Sequence, residues 1–154
     1  MKFYIFASGS QGNATLIVDK SVKILIDLGI SKKQLVNHLA ELDLSFDDLD
    51  FILLTHEHSD HTKGLESVNN INIYGGRNTY MCPSYREIEP YRSFRFRQLS
   101  ITPIALSHDA RSPLGFIFKN ENEKLVYITD TGFINEKNMQ LAKNADYYII
   151  ESNH

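Results

Sequence analysis

Thr55-His56-Glu57-His58-Ser59-Asp60-His61 gathers three of the chain's six histidines, with an aspartate among them, into one short run. Imidazole nitrogens and carboxylate oxygens are the donors that hold a Lewis-acidic divalent ion. His56 and His58 are two apart, so on an extended backbone both side chains point the same way. Asp60 and His61 are adjacent, and on a turning backbone they can face a second ion close to the first. A solvated polar loop is the plain alternative. The density of ligand types argues against it, and so does their place directly after the apolar run Phe51-Ile52-Leu53-Leu54, which reads as a buried strand.

Further ligand types stand where other apolar runs end: Asp27 after 22–26, His108 after 101–106, Asp130 after 124–129 and His154 after 147–150. His108 beside Asp109 could be a surface pair, and Asp130 in Thr-Asp-Thr-Gly could be a turn or cap residue. Their strand-end positions favour ligands in both cases. His38 falls within a helical pattern, off its apolar stripe, and reads as an exposed helix residue. Cys82 reads as a small half-buried side chain.

The elements that must position these residues follow from apolar periodicity. Runs 3–7, 14–19 and 22–27 form an antiparallel meander, because their connections are too short for a crossover. Between the first two lies Ser8-Gly9-Ser10-Gln11-Gly12-Asn13, either a tight turn or a loop whose amides cup an anion. Ser31 reads as the cap of an amphipathic helix over 31–42, with Leu35, Val36, Leu39 and Leu42 as its stripe. Acidic 43–50 is a solvated connector. Strands are expected at 51–55, 71–74, 93–99, 101–106, 114–119, 124–129 and 147–150, with a helix at 135–143. Residues 77–92 read as irregular or weakly helical. No linker or charge block divides the chain, so residues 1–154 are one domain.

The His-x-His-x-Asp-His run resembles the signature of the metallo-β-lactamase-fold hydrolases. The segments 8–13, Leu25-Ile26-Asp27, Ser107-His108-Asp109, Thr129-Asp130-Thr131-Gly132 and Glu151-Ser152-Asn153-His154 resemble the YycJ/WalJ-type branch, small bacterial and phage proteins of nuclease or phosphodiesterase character. The resemblance implies an α/β fold, the αββα sandwich, with two divalent ions, zinc or manganese. His56, His58 and His108 would bind one ion and Asp60 and His61 the other, with Asp130 bridging. Asp27 would orient the His loop. Asp60 would serve catalysis as well, and His154 is a candidate to protonate the leaving group. Family members supply a further histidine and more strands beyond the Asp130 motif. The resemblance therefore implies an incomplete second half, an incomplete second metal site, and an open sheet edge that invites pairing with a second copy.

Composition is that of a globular domain, 42% hydrophobic and 23% charged over 154 residues, with a net charge of -3 that does not mark a polycation. One cysteine excludes an internal disulfide. The first residues are too strand-like for a signal peptide, and no apolar run reaches the roughly 18 residues of a membrane span. The expectation is a cytoplasmic protein. Arg77, Arg86, Arg92, Arg95 and Arg97, interleaved with tyrosines and phenylalanines, could contact nucleic acid, or could be the exposed side of an ordinary strand. Three functions follow. The first is metal-dependent phosphodiester hydrolysis of DNA or RNA, exonucleolytic action included. The second is hydrolysis of another ester, a thioester, a lactone or a lactam on the same fold. The third is a truncated, inactive module that binds metal or nucleic acid.

Overall fold

The computed structural model describes residues 1–129 and 131–151. Two sheets face each other. The first has the order β1-β2-β3-β4-β5-β6: β1 (Lys2–Ala7), β2 (Ala14–Asp19), β3 (Val22–Ile26), β4 (Phe51–Leu53), β5 (Asn72–Gly75) and β6 (Tyr85–Glu87). The second runs β11-β10-β9-β8-β7, from β7 (Phe94–Phe96), β8 (Leu99–Ala105), β9 (Leu114–Lys119), β10 (Lys124–Thr129) and β11 (Tyr147–Glu151). The opening meander is antiparallel as expected. From β3 onward the first sheet turns parallel, and the second sheet ends in the parallel pair β10/β11.

Register sorts the apolar residues into layers. Leu16, Leu25, Ile52 and Ile73 lie in a row across the first sheet, each beside the next. That row packs outward against Leu35 and Leu39 of helix α1 (Lys32–Ala40). The alternate residues Ile17, Ile24, Ile26, Phe51 and Leu53 point inward and meet Leu99, Ile101, Phe116, Phe118, Leu125 and Tyr127 of the second sheet. On the second sheet's outer face, Ile104, Ile117, Val126 and Ile128 pack with Ile134, Ala142 and Ala145, which flank helix α3 (Glu136–Leu141). The order helix, sheet, sheet, helix is the expected sandwich.

Ser31 caps α1 through a reciprocal capping box with Gln34, which satisfies two N-terminal donors at once. Several local expectations are corrected. α1 ends at Ala40, and Val36 is exposed. His38 is half-buried, stacked on Phe6 at 4.9 Å, because the strand β1 passes over that side of the helix. Residues 77–92 are not wholly irregular, since β6 adds to β5 as a short parallel edge strand. The run 93–99 is not one strand. Arg97 takes a φ of 53°, and the chain reverses over Arg97-Gln98, pairing Phe96 with Leu99.

Candidate metal centre

β4 delivers the histidine run at the rim where β3 also ends. Beyond β4, residues 54–58 leave the sheet, and Ser59–Thr62 wind into the single turn α2. The turn is welded in place by backbone bonds. The Asp60 carbonyl accepts from Asn13 N at 2.8 Å, and the His61 carbonyl accepts from Leu28 N at 2.9 Å. Gly64 N donates to the Leu28 carbonyl at 2.9 Å. The Asn13 side chain adds a bond from Nδ2 to Asp60 Oδ2 at 3.2 Å. Gly29 must be glycine here, since a Cβ would lie 1.7 Å from the Asp60 carbonyl oxygen. The 8–13 loop is thus a turn whose last residue braces Asp60.

Asp27 is fully buried with a φ of 63°, a left-handed conformation that aspartate tolerates better than most residues. Its Oδ1 accepts from Thr55 N at 2.8 Å, and its Oδ2 accepts from Thr55 Oγ1 at 2.7 Å and lies 2.6 Å from His61 Nδ1. A carboxylate only accepts, so the His61 proton sits on Nδ1, and Nε2 is the acceptor nitrogen of the neutral ring. Thr55 spends its own proton on Asp27, so its oxygen accepts from His56 Nδ1 at 2.9 Å. The same logic makes His56 Nε2 its acceptor nitrogen. One buried carboxylate thereby sets the tautomers of two histidines.

His108 arrives from the opposite sheet, on the loop between β8 and β9. The start of β9 is tied to the histidine run by a bond from Leu114 N to the Thr55 carbonyl at 2.8 Å. Ser107 forms a bridge with Phe133 and accepts from Gly132 N, so residues 131–133 dock beside the same loop. The ligand atoms of His56, His58 and His108 all lie within 4.8 Å of one another, and His108 Nε2 is 3.4 Å from His58 Nδ1. Two nitrogens on one tetrahedral zinc stand about 3.3 Å apart, given Zn–N bonds near 2.05 Å. The donor set and spacing fit a divalent ion held by His56, His58 and His108. Asp60 Oδ2 stands 3.6 Å from His61 Nε2, so the expected second pair is also brought together, and the His56 and His61 rings are 4.1 Å apart. The expected ligand Asp130 and proton donor His154 lie outside the described residues.

Two residues that sequence reasoning passed over join the site. Glu57, between the two histidines, faces away from them, and its carboxylate accepts from Arg111 N at 3.0 and 3.3 Å. Arg111 Nη1 donates to the Asn78 carbonyl at 3.0 Å. Beside this contact opens a cleft of about 850 Å³ walled by Thr79, Tyr80, Met81 and Tyr85. Tyr85 donates its hydroxyl to the Gly76 carbonyl at 2.6 Å, and burial pushes its pKa up to about 12.

The five arginines are all exposed and do not share one face. Arg77 follows Gly76, where a Cβ would lie 2.4 Å from the Ser112 carbonyl oxygen, so it stands beside the His108 loop. Arg86 bonds to the Pro83 and Tyr85 carbonyls. Arg92 and Arg95 line a cleft of about 410 Å³ together with Asp50, Glu87 and Glu89. Arg97 bonds to Ser21 at the opposite end of the sandwich, since Ser21 precedes β3 and Arg97 precedes β8, the strands that run toward the histidines.

Comparison with known proteins agrees with this architecture. The chain is 34% identical to the exodeoxyribonuclease WalJ of Streptococcus pneumoniae over 99% of its own length and 62% of that protein. It is 32% identical to the exodeoxyribonuclease YycJ of Bacillus anthracis over 100% of its own length and 63% of that protein. It thus spans under two thirds of the length of these curated relatives. Among solved structures it resembles MEM-A1, a subclass B3 metallo-β-lactamase from a soil metagenome library, with a TM-score of 0.73 at 18% identity, covering 99% of this chain and 76% of that one. It also resembles Zn²⁺-bound PqqB from Methylobacterium extorquens, with a TM-score of 0.70 at 15% identity over 90% of this chain and 59% of that one. The family model for the β-lactamase superfamily domain matches residues 22–154. The chain belongs to that family, carries the metallo-β-lactamase fold, and is related to the WalJ/YycJ exodeoxyribonucleases.

Proposed function

We propose that this protein is a metal-dependent phosphodiesterase that acts on nucleic acid as an exonuclease. The observation that carries the proposal is the convergence of His56, His58 and His108 from two sheets to within 4.8 Å. The likeness to the two exodeoxyribonucleases supports the substrate class. A divalent ion at such a site supplies a Lewis acid, which lowers the pKa of water and neutralises charge developing on phosphoryl oxygens.

The chain's own residues prepare that chemistry. Asp27 holds a proton on His61 Nδ1, and Thr55 holds one on His56 Nδ1, so each ring is turned with Nε2 away from the carboxylate, ready to act as a ligand atom. His56 and His61 are buried, which keeps water from competing for these hydrogen bonds. His58 and His108 are more open than His56 and form the side from which a substrate enters. Arg77, beside the His108 loop, is assigned a contact to a backbone phosphate.

The test is purified protein with Mn²⁺ or Zn²⁺, offered labelled DNA, RNA, bis(p-nitrophenyl) phosphate and nitrocefin. The expected result is metal-dependent release of nucleotides from DNA, lost in His58→Ala. Intact nucleic acid alongside hydrolysed nitrocefin would move the function to lactam chemistry. No turnover at all, with two ions bound per chain, would refute hydrolysis of these bonds. Arg77→Ala should weaken DNA binding and lower its salt slope by about one, with Arg97→Ala unchanged.

A further inference from the structure

We infer that Glu57 is a positioning residue that closes the metal triad by clamping the His108 loop to the histidine run. The inference rests on the reading of His56, His58 and His108 as ligands. Glu57 lies between two of them, and alternation along the extended stretch turns its carboxylate to the other side. There it meets the backbone of the loop that carries the third. Both carboxylate oxygens reach Arg111 N, at 3.0 and 3.3 Å, and the Arg111 side chain contributes a looser approach, Nε to Oε2 at 3.9 Å.

The other ties of the His108 loop run to different segments: Ser107 bridges Phe133 and accepts from Gly132 N at 3.0 Å, and Arg111 Nη1 donates to the Asn78 carbonyl at 3.0 Å. The loop's ends are fixed by the Leu106 N to Pro113 carbonyl bond at 3.0 Å and by the Leu114 N to Thr55 carbonyl bond. At its tip, the Ala110 N to His108 carbonyl bond of 2.9 Å only shapes the turn itself. His108 is three residues from Arg111, so the Glu57 bond is the tie between this tip and the backbone stretch bearing His56 and His58. A carboxylate accepting a backbone N–H is a charge-assisted bond, shorter and stronger than a neutral one. Groups hydrogen-bonded directly to metal ligands typically govern metal affinity by about 10- to 100-fold, and a clamp on the loop that carries His108 is expected to act on the same scale. The acceptor is a side-chain oxygen at position 57 and the donor is main chain, so the clamp survives a change of side chain at 111, which removes the Nη1 bond to the Asn78 carbonyl and the looser Nε approach.

The experiment titrates the metal-free protein with Co²⁺, following its visible absorption bands, and with Zn²⁺ by calorimetry. Glu57→Ala is expected to weaken the tighter site by about 10- to 100-fold and to alter the Co²⁺ band positions. Glu57→Gln, which keeps an oxygen acceptor, should recover most of the affinity. Arg111→Ala, which keeps the amide, should stay within about threefold of the parent. Hydrogen exchange at the Arg111 amide should be slowed in the parent and released in Glu57→Ala. A Glu57→Ala protein that folds and keeps parental affinity and spectrum would overturn the clamp, as would a Gln variant as weak as Ala. Should Glu57→Ala fail to fold, the Gln variant and the exchange of the Arg111 amide decide the matter. His58→Ala separates the two ideas: if its Co²⁺ spectrum matches the parent's, the triad itself is wrong rather than the clamp.

Discussion

The two sides of the metal centre are built in opposite ways. On one side, Asp27, Thr55, His56 and His61 are each no more than 1% exposed, and one carboxylate satisfies a backbone amide, a hydroxyl and an imidazole. On the other, His58 and His108 are more open, and their geometry depends on a loop held at its tip by Glu57. The first side serves stability and tautomer together, because its hydrogen bonds run through the Nδ1 side of each ring. The second side is open, and its histidines are held less firmly. A site of this kind is preorganised on its buried side and adaptable on its open one.

The largest break in that contrast should come from Gly29→Ala, which drives a Cβ into the Asp60 carbonyl oxygen at 1.7 Å. It should cost about 4 kcal/mol or prevent folding, read as the urea midpoint of the metal-free protein. Asp27→Ala should cost about 3 kcal/mol in the same measurement, because it strands the buried Thr55 amide and His61 together. Asp27→Asn should cost less, since asparagine tolerates the positive φ and keeps one acceptor oxygen. His108→Ala should change metal-free stability by no more than about 0.5 kcal/mol, yet abolish the thermal shift that added Zn²⁺ gives the parent. If His108→Ala were as destabilising as Asp27→Ala, the division into a firm side and an open side would fail.

The smallest expected effect lies outside both sides and calibrates them. Asp48 accepts from Ser45 N at 2.8 Å, and this backbone hydrogen bond holds its carboxyl below the usual carboxylate range. A depressed folded value means that the contribution is full above the ordinary pKa and is lost as pH falls through the depressed one. The Ser45 amide resonance should therefore titrate below the usual carboxylate range, with no change between pH 5 and 8.

What could be read in the residues, and what could not, follows the same physical divide. Periodicity exposed the long strands because rows such as Leu16, Leu25, Ile52 and Ile73 are apolar for a reason of packing. Ser31 announced the start of α1 because capping is local in sequence. The histidine run was legible from residue types, their spacing and their place after an apolar strand. β6 was not, since three residues, Tyr85–Glu87, carry too little pattern to separate a strand from a loop. The Arg97-Gln98 reversal lacked the glycine or asparagine that usually marks a turn with positive φ. Glu57 was visible but mute, because its partner lies 54 residues away and is a main-chain amide, which no side-chain pattern encodes.

His56 and His58 hang from the first sheet and His108 from the second. Any ion shared by the three is consequently a rivet through both leaves of the sandwich, not an ornament on its rim. Prying the leaves apart would then require letting the ion go, and each tenfold rise in free ion above its dissociation constant would add about 1.4 kcal/mol against that separation. The supply of free ion would in this way bear on how long the folded protein lasts.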